Sequence, residues 1–186
     1  MFSKIQQNSE LFSIITSYCD ENNIEVCLSP ELDENSDDKL LILKADDYYS
    51  SKNMHNPPPA IDCIILVKCD NCDGYDIHLV ELKDINSSSG FDKENIKSKF
   101  KTVLDDFLSG KFKDIFLNEK YCHFNCYFVS DPYKCKNKNL TQQEYDKKIR
   151  NEGLKLDYFN SIKPFKFQKK VSLIQSVLPN PMISEC

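Results

Sequence analysis

Two stretches of the chain space their apolar side chains as an amphipathic helix does, and a capping pattern marks a third helix. Residues 8–21 predict the first helix, and residues 92–110 predict the second, with Asp92 as its N-cap. The capping-box pattern of residues 141–144 predicts a third, charged helix that runs to about Gly153. These helices are separated by apolar runs of strand length.

Apolar runs bounded by turn residues predict strands over residues 24–29, 40–45 and 122–130. The acidic residues 30–39 predict a loop, and residues 158–177 predict strand segments or loop.

A hairpin is predicted in the middle of the chain. Residues 59–67 and 75–85 form two apolar stretches of strand length, separated by the turn-rich residues 69–74. The order of elements is then helix, strands, hairpin, helix, strand and helix. It predicts a mixed α/β (α+β) fold with a central mixed sheet and flanking helices.

The predicted hairpin carries charged side chains where a buried strand is expected to be apolar. Because successive side chains of a strand point to opposite faces, Leu79, Glu81 and Lys83 share one face. Asp62 adds a second carboxylate at the start of the preceding strand. Buried charges are costly unless they are paired or hold a metal, so these residues indicate a functional site.

Composition favours a globular protein. Of the 186 residues, 40% are hydrophobic and 11% aromatic, so we expect one domain over residues 1–186, with a core at about 58–130 and a basic part at 134–178. No apolar stretch reaches membrane-spanning length, and the N-terminus lacks the pattern of a secretory signal. We therefore expect a cytoplasmic protein whose nine cysteines are reduced thiols.

Charge is divided unevenly along the chain. Residues 1–92 carry 6 Lys against 18 acids, a net charge of −12, whereas residues 93–186 carry 18 basic residues against 11 acids, a net charge of +7. Such asymmetry indicates a surface for a polyanion in the second half, and a solvated lysine-rich surface is the alternative. Arg150 is the single arginine, so bidentate recognition of guanine is not the main source of specificity.

The spacing of Asp62 and Glu81-Leu82-Lys83 resembles the PD-(D/E)xK nuclease superfamily. An acid at the start of one hairpin strand, an acid-x-Lys on the next and a following helix form the signature of that family. Here its proline–acid pair is loosened to Pro59-Ala-Ile-Asp62. The resemblance implies a restriction-endonuclease-like fold and a Mg²⁺-dependent endonuclease that hydrolyses DNA phosphodiester bonds in defence or mobile-element biology.

The resemblance also implies roles for individual residues. Asp62, Glu81 and the backbone carbonyl of Leu82 would hold Mg²⁺, for which Mn²⁺ can substitute, and Lys83 would orient the attacking water. Glu10 on the first helix would complete the metal site. Alternatives are an exposed hairpin edge with a cross-strand salt bridge, an inactive nuclease-like fold, and for Glu10 a solvated helix-start acid.

Lysines of the second half are candidates for contacts with nucleic acid. The resemblance places Lys97 or Lys101 near the site. The tail lysines, interleaved with Phe165 and Phe167, are candidates to follow phosphates, and they are Lys163, Lys166, Lys169 and Lys170. A solvated helix face and water-facing strand positions explain the same pattern.

Cys69-x₂-Cys72-x-Gly74 has the form of a zinc knuckle. A closed site needs two more ligands, for which Cys122, His123, Cys126 and Cys135 are candidates, and free thiols remain the favoured interpretation over zinc.

The partner that the resemblance implies is DNA, with a homodimer or a second subunit as sources of specificity and no membrane. The alternative function is a non-catalytic interaction protein whose acidic half binds a basic partner.

Overall fold

A mixed six-stranded β-sheet organises the fold. The computed structural model describes residues 1–22, 24–34, 36–52, 55–84, 92–130, 141–144, 147 and 162–184. In spatial order the sheet consists of β1 (Ile15–Thr16), β5 (Leu40–Lys44), β6 (Cys63–Cys69), β7 (Gly74–Lys83), β8 (Tyr121–Ser130) and β11 (Ile174–Val177).

The first four strands of the sheet are antiparallel, and the remaining two run parallel to β7. The predicted hairpin of β6 and β7 is confirmed, with Cys63 opposite Val80 and Cys69 opposite Gly74. Strand β8 pairs in parallel with β7 on one side and with β11 on the other, so the apolar strand predicted over residues 122–130 has a neighbour on each side.

In the part of the chain that the structure describes, three pairs of short strands lie outside this sheet. They are the ribbons β2 (Asp20–Glu21) with β3 (Ile24–Glu25) and β9 (Phe165–Phe167) with β10 (Lys170–Ser172), and the parallel pair β4 (Cys27–Leu28) with β12 (Met182–Ile183). The strand predicted over residues 24–29 is therefore present as two short strands, and the C-terminal strand segments are confirmed where the structure describes them.

Helices pack beside the sheet. They are α1 (Phe2–Gln7), α2 (Ser9–Phe12), α3 (Pro30–Glu34), α4 (Ser36–Lys39), α5 (Ala45–Ser50), α6 (Lys93–Thr102), a π-helical segment (Val103–Lys111) and α7 (Lys113–Phe116). The predicted N-cap of α6 is confirmed, because Asp92 Oδ1 accepts a hydrogen bond from the Asn95 N–H at 3.0 Å. Beyond Gly110 the chain stays helical for one more residue, Lys111.

Both faces of the sheet are buried, which explains why the central strands are apolar at nearly every position. On the side of α6, the sheet residues Ile64, Leu66, Ile77 and Leu79 share one core cluster with the helical residues Phe100 and Phe107. The opposite face includes Ile24, Cys63, Ile65, Val67, Val80 and Leu82. A charged side chain on either face therefore lies against a packed core.

The predicted helix over residues 8–21 is wrong. The Asn8 side chain accepts hydrogen bonds from the N–H groups of Glu10 and Leu11 at 3.1 Å each, which begins the short helix α2. The chain then extends and pairs Ile15–Thr16 with β5. Strand pairing here outweighs a local helical spacing.

The predicted acidic loop over residues 30–39 is also wrong, because α3 and α4 occupy it. Pro30 suits the first position of a helix, where its missing N–H costs nothing. Helix α5 was not predicted either. The capping box is confirmed, since Thr141 and Glu144 exchange hydrogen bonds at 2.8–3.3 Å, whereas the predicted course of that helix toward Gly153 lies outside the described residues.

Between described residues two disulfides join pairs of cysteines, and Cys69 is disulfide-bonded as well, so the prediction of nine reduced thiols is wrong for these five. Cys19 is bonded to Cys63, with Cα atoms 6.0 Å apart, and Cys72 to Cys122, with Cα atoms 6.4 Å apart. Among the helices in the described ranges, none has the length and apolar character needed to cross a membrane.

Candidate active site

Asp62 and Glu81 face each other across the hairpin. The register that pairs Cys63 with Val80 places Asp62, one residue earlier, opposite Glu81, one residue later. Directly opposed residues of antiparallel strands point to the same face, here the face covered by α6. Only 7% of Asp62 and 1% of Glu81 is exposed, so two carboxylates share a buried position.

Backbone hydrogen bonds fix Asp62 in this position. The Leu82 N–H donates to Asp62 Oδ2 at 2.6 Å, and the Ala45 N–H donates to the Asp62 carbonyl oxygen at 3.0 Å. Asp62 is thus tied to β7 and to the first residue of α5. The backbone of Leu82, which is predicted to lie at the metal site, is in direct contact with Asp62.

The Glu81 carboxyl group interacts with Lys99 and, when protonated, with the Asp62 carboxylate through a side-chain hydrogen bond. Lys99 Nζ of α6 lies 2.6 Å from Oε1, while Oε2 is buried without a hydrogen-bond donor. Burial, reinforced by the Asp62 charge, raises the pKa of Glu81 to about 8, although Lys99 acts in the opposite direction. The pKa of Lys99 is raised despite its own burial, because the Glu81, Asp62 and Glu21 carboxylates favour its charged form.

Two further acids are electrostatically coupled to Asp62. Asp46, in the first turn of α5, has a buried Oδ1 without a donor, and burial together with the Asp62 charge raises its pKa to about 6. Burial and Asp62 also raise the pKa of Glu21, while Lys83 lowers it. We call Glu21, Asp46, Asp62 and Glu81 the carboxylate cluster.

Lys83 lies at the rim of the carboxylate cluster. It is the last residue of β7, shares a face with Glu81 and is exposed. Its charge lowers the pKa of Glu21, opposing the effect of burial and of Asp62. The three residues predicted to carry catalysis, Asp62, Glu81 and Lys83, are therefore brought to one end of the hairpin.

Glu10 contacts other partners. Its carboxylate lies 2.5 Å from Lys52 Nζ and accepts a hydrogen bond from the Tyr48 hydroxyl at 3.2 Å. Tyr48 follows Asp46 by two positions on α5, which turns it by about 200° around the helix. Glu10 thus meets α5 on the side away from Asp46, and Lys52 and Tyr48 hold the pKa of its carboxyl below the usual value despite slight burial.

Four of the six candidate lysines line one cleft. Lys97 and Lys101 of α6 face Lys163 and Lys166 of the C-terminal segment across a cleft of about 360 Å³. Its apolar lining consists of Leu104, Ile162, Pro164 and Phe165. Lys169 and Lys170 lie outside this lining, at the turn between β9 and β10. We call this feature the lysine cleft.

The candidate zinc ligands are partly brought together. The sulfur atoms of Cys69, Cys72 and Cys122 lie within 4.8 Å of one another. His123 instead pairs with Asp76, at 2.9 Å, and Cys126 is buried, with burial raising the pKa of its thiol to about 12.

Sequence reasoning missed Asp46, Glu21 and Lys99. Lys99 could have been found from helical geometry, because it flanks the buried positions Ile96 and Phe100 on the side opposite Lys97. Asp46 and Glu21 belong to short elements whose positions depend on contacts distant in sequence.

Comparison of the chain with protein-family models, with curated proteins and with solved structures found no match.

Proposed function

We propose that this protein is a metal-dependent endonuclease of restriction-endonuclease-like fold that hydrolyses DNA phosphodiester bonds. The observation that carries the proposal is a pair of orphaned carboxylate oxygens. Asp46 Oδ1 and Glu81 Oε2 are both buried without a donor, and both carboxylates are electrostatically coupled to Asp62. A proton or a bound cation would satisfy such oxygens, and the proposal assigns the cation.

The donor set fits Mg²⁺ or Mn²⁺. Both are hard cations that bind carboxylate oxygens together with water and substrate phosphate. Asp62 and Glu81, which face each other across the hairpin, would hold the ion, and the Leu82 carbonyl is the further ligand expected from the resemblance. The Asp46 carboxylate is not within 4.8 Å of both acids, so it would act on the ion through its charge. The bound ion would stabilise charge on the phosphoryl group and lower the pKa of water.

The remaining side chains suit the needs of such a reaction. Lys83 lies at the exposed rim, where its ammonium would orient the attacking water against the scissile phosphate. Lys99 holds Glu81 in place through the 2.6 Å contact. The lysine cleft provides positive charge on the other flank of α6, where it would contact backbone phosphates.

Topology supports the same proposal. The antiparallel strands β5, β6 and β7 are followed by helix α6 and then by β8, which returns parallel to β7. In the family that the hairpin resembles, one acid also lies at the start of one hairpin strand and the other on the next strand, followed by a helix. Asp62 and Glu81 occupy the corresponding positions of this chain.

One observation favours a second function. The ion pair of Glu81 with Lys99 satisfies part of the site without any metal, as in a nuclease-like fold that has become a non-catalytic interaction protein. The two functions differ in whether hydrolysis occurs.

The test is cleavage of supercoiled plasmid by the protein with Mg²⁺, with Mn²⁺ and with EDTA. We expect metal-dependent nicking that is lost in Asp62→Asn and Lys83→Ala but kept in Glu10→Gln, an acid outside the carboxylate cluster. Absence of cleavage on plasmid and on single-stranded DNA, with folded protein, would favour the interaction protein. Cleavage of RNA but not of DNA would show that the substrate is RNA. Equal cleavage by all variants would show that a contaminating nuclease is responsible.

A further inference from the structure

Three cysteine sulfurs converge at the end of the hairpin far from the carboxylate cluster. Cys69 ends β6, Cys72 lies in the turn, and Cys122 is the second residue of β8. All three sulfur atoms lie within 4.8 Å of one another. We call this group the thiol cluster.

The backbone is arranged to allow this convergence. A Cβ added to Gly74 would lie 2.6 Å from the Lys120 carbonyl oxygen and 3.1 Å from Cys122 Sγ, so a glycine is required for β8 to approach the turn. The Tyr75 N–H donates to that carbonyl at 2.9 Å, and Lys120 Nζ donates to the Cys72 carbonyl at 2.5 Å. These contacts fasten the start of β8 to the turn between β6 and β7.

We propose that the thiol cluster of the reduced protein binds one Zn²⁺ through Cys69, Cys72 and Cys122 as thiolates. Cys69 is disulfide-bonded, as are Cys72 and Cys122, so the three thiols become available together when the protein is reduced. With Zn–S bonds of about 2.3 Å, the sulfurs of a tetrahedral site lie about 3.8 Å apart, which is less than the 4.8 Å within which these three sulfurs converge. Water or a further side chain takes the fourth position.

The Cys72–Cys122 bond is the oxidised state of the same cluster. For each disulfide of the cluster, reduction by a phosphine adds two electrons and two protons, breaks the S–S bond to give two thiols and oxidises the phosphine to its oxide; the bond in which Cys69 takes part is reduced in the same way. Zinc binding then releases the protons of the coordinating thiols. Reduced protein is therefore the form in which the proposal is tested.

The thiol cluster and the carboxylate cluster are separate sites with different chemistry. Asp62 precedes β6 and Cys69 ends it, so seven strand residues, or about 23 Å, lie between the two ends. Soft thiolates favour zinc, and hard carboxylates favour magnesium. The zinc site would hold the hairpin turn against β8 and so stabilise the strands that carry the acids.

The test measures zinc in protein purified in a phosphine reductant without added metal. We expect about one Zn²⁺ per chain, as in other structural thiolate sites. Cys72→Ser and Cys122→Ser should lose it, while Cys126→Ala, a change of a buried thiol on the same strand, should keep it. Glu81→Gln should also retain zinc, because it changes the other cluster.

Wild-type protein provides a second measurement that does not depend on folding of the variants. After removal of zinc under reducing conditions, Co²⁺ should produce thiolate-to-cobalt charge-transfer absorption, which carboxylate ligands do not give. Reduced wild-type protein that neither retains zinc nor shows this absorption with Co²⁺ would overturn the proposal. Retention of zinc by Cys72→Ser and Cys122→Ser would overturn it equally.

Discussion

Glu81 is a buried carboxylate whose charge is compensated on one oxygen only. Lys99 contacts Oε1, and Oε2 has no donor, while Asp62 faces the same group from the neighbouring strand. Burial and Asp62 together raise the pKa of Glu81 to about 8. Without a cation, and at a pH between the ordinary pKa of 4.5 and about 8, Glu81 is therefore protonated in the folded protein and ionised in the unfolded chain.

Replacing Glu81 by Gln should remove a pH dependence of stability. The folded pKa of about 8 exceeds the ordinary value of 4.5, so the free energy of unfolding falls as pH rises through that window. In EDTA, the free energy of unfolding of the wild-type protein should fall by up to about 4 kcal/mol between pH 5 and pH 8, relative to that of Glu81→Gln. Urea unfolding of both proteins at each pH measures this difference.

His78 provides the internal reference for that comparison. Its burial lowers its pKa to about 4, so its contribution to stability rises with pH between about 4 and 6.5, in the opposite direction. This contribution is common to both proteins and cancels in the difference. Parallel pH curves for the two proteins would contradict the assignment of the proton to Glu81.

At the scale of elements, the hairpin was predictable and its surroundings were not. Alternation of side chains along β7 placed Glu81 and Lys83 on one face, and Asp92 marked the start of α6, because both signals are local. Helix α5, which carries Asp46, has six residues and gains its position by packing against the sheet. No periodicity in so short a segment distinguishes it from a loop.

Helix α6 has two basic flanks that were not distinguished by sequence. Lys99 points to the carboxylate cluster, whereas Lys97 and Lys101 line the lysine cleft on the opposite side of the helix. The resemblance places Lys97 or Lys101 near the acids, whereas the lysine of this helix that contacts Glu81 is Lys99. One helix thus connects the proposed chemistry with the proposed phosphate contacts.

The double variant Lys97→Ala/Lys101→Ala should weaken DNA binding without changing the metal site. If each lysine neutralises one phosphate, the slope of log affinity against log salt should fall by about two. Lys68→Ala, an exposed lysine at the turn end of β6, is the matched control and should leave the slope unchanged. Fluorescence anisotropy across a salt series measures both, and equal slopes for all three proteins would remove the lysine cleft from the DNA surface.

At the scale of the whole molecule, the sheet gathers acids that are far apart in sequence. Asp46, Asp62 and Glu81 come from the segment after β5, the start of β6 and the end of β7, which are neighbours because the three strands form one antiparallel unit. The two core clusters fix this unit on both faces. Metal binding at this point should therefore stabilise the fold as a whole.

Mg²⁺ or Mn²⁺ should raise the melting temperature, and the rise should itself increase with pH. A ligand at a hundredfold excess over its dissociation constant stabilises the folded state by about 2.7 kcal/mol. Because the ion must displace protons from Glu81 and Asp46, whose pKa values are raised to about 8 and about 6, affinity should grow between pH 6 and pH 8. Asp62→Asn and Asp46→Asn should reduce the shift and Glu10→Gln should preserve it, as measured by differential scanning fluorimetry. A shift that is independent of pH, or equal in all these variants, would place the metal outside the carboxylate cluster.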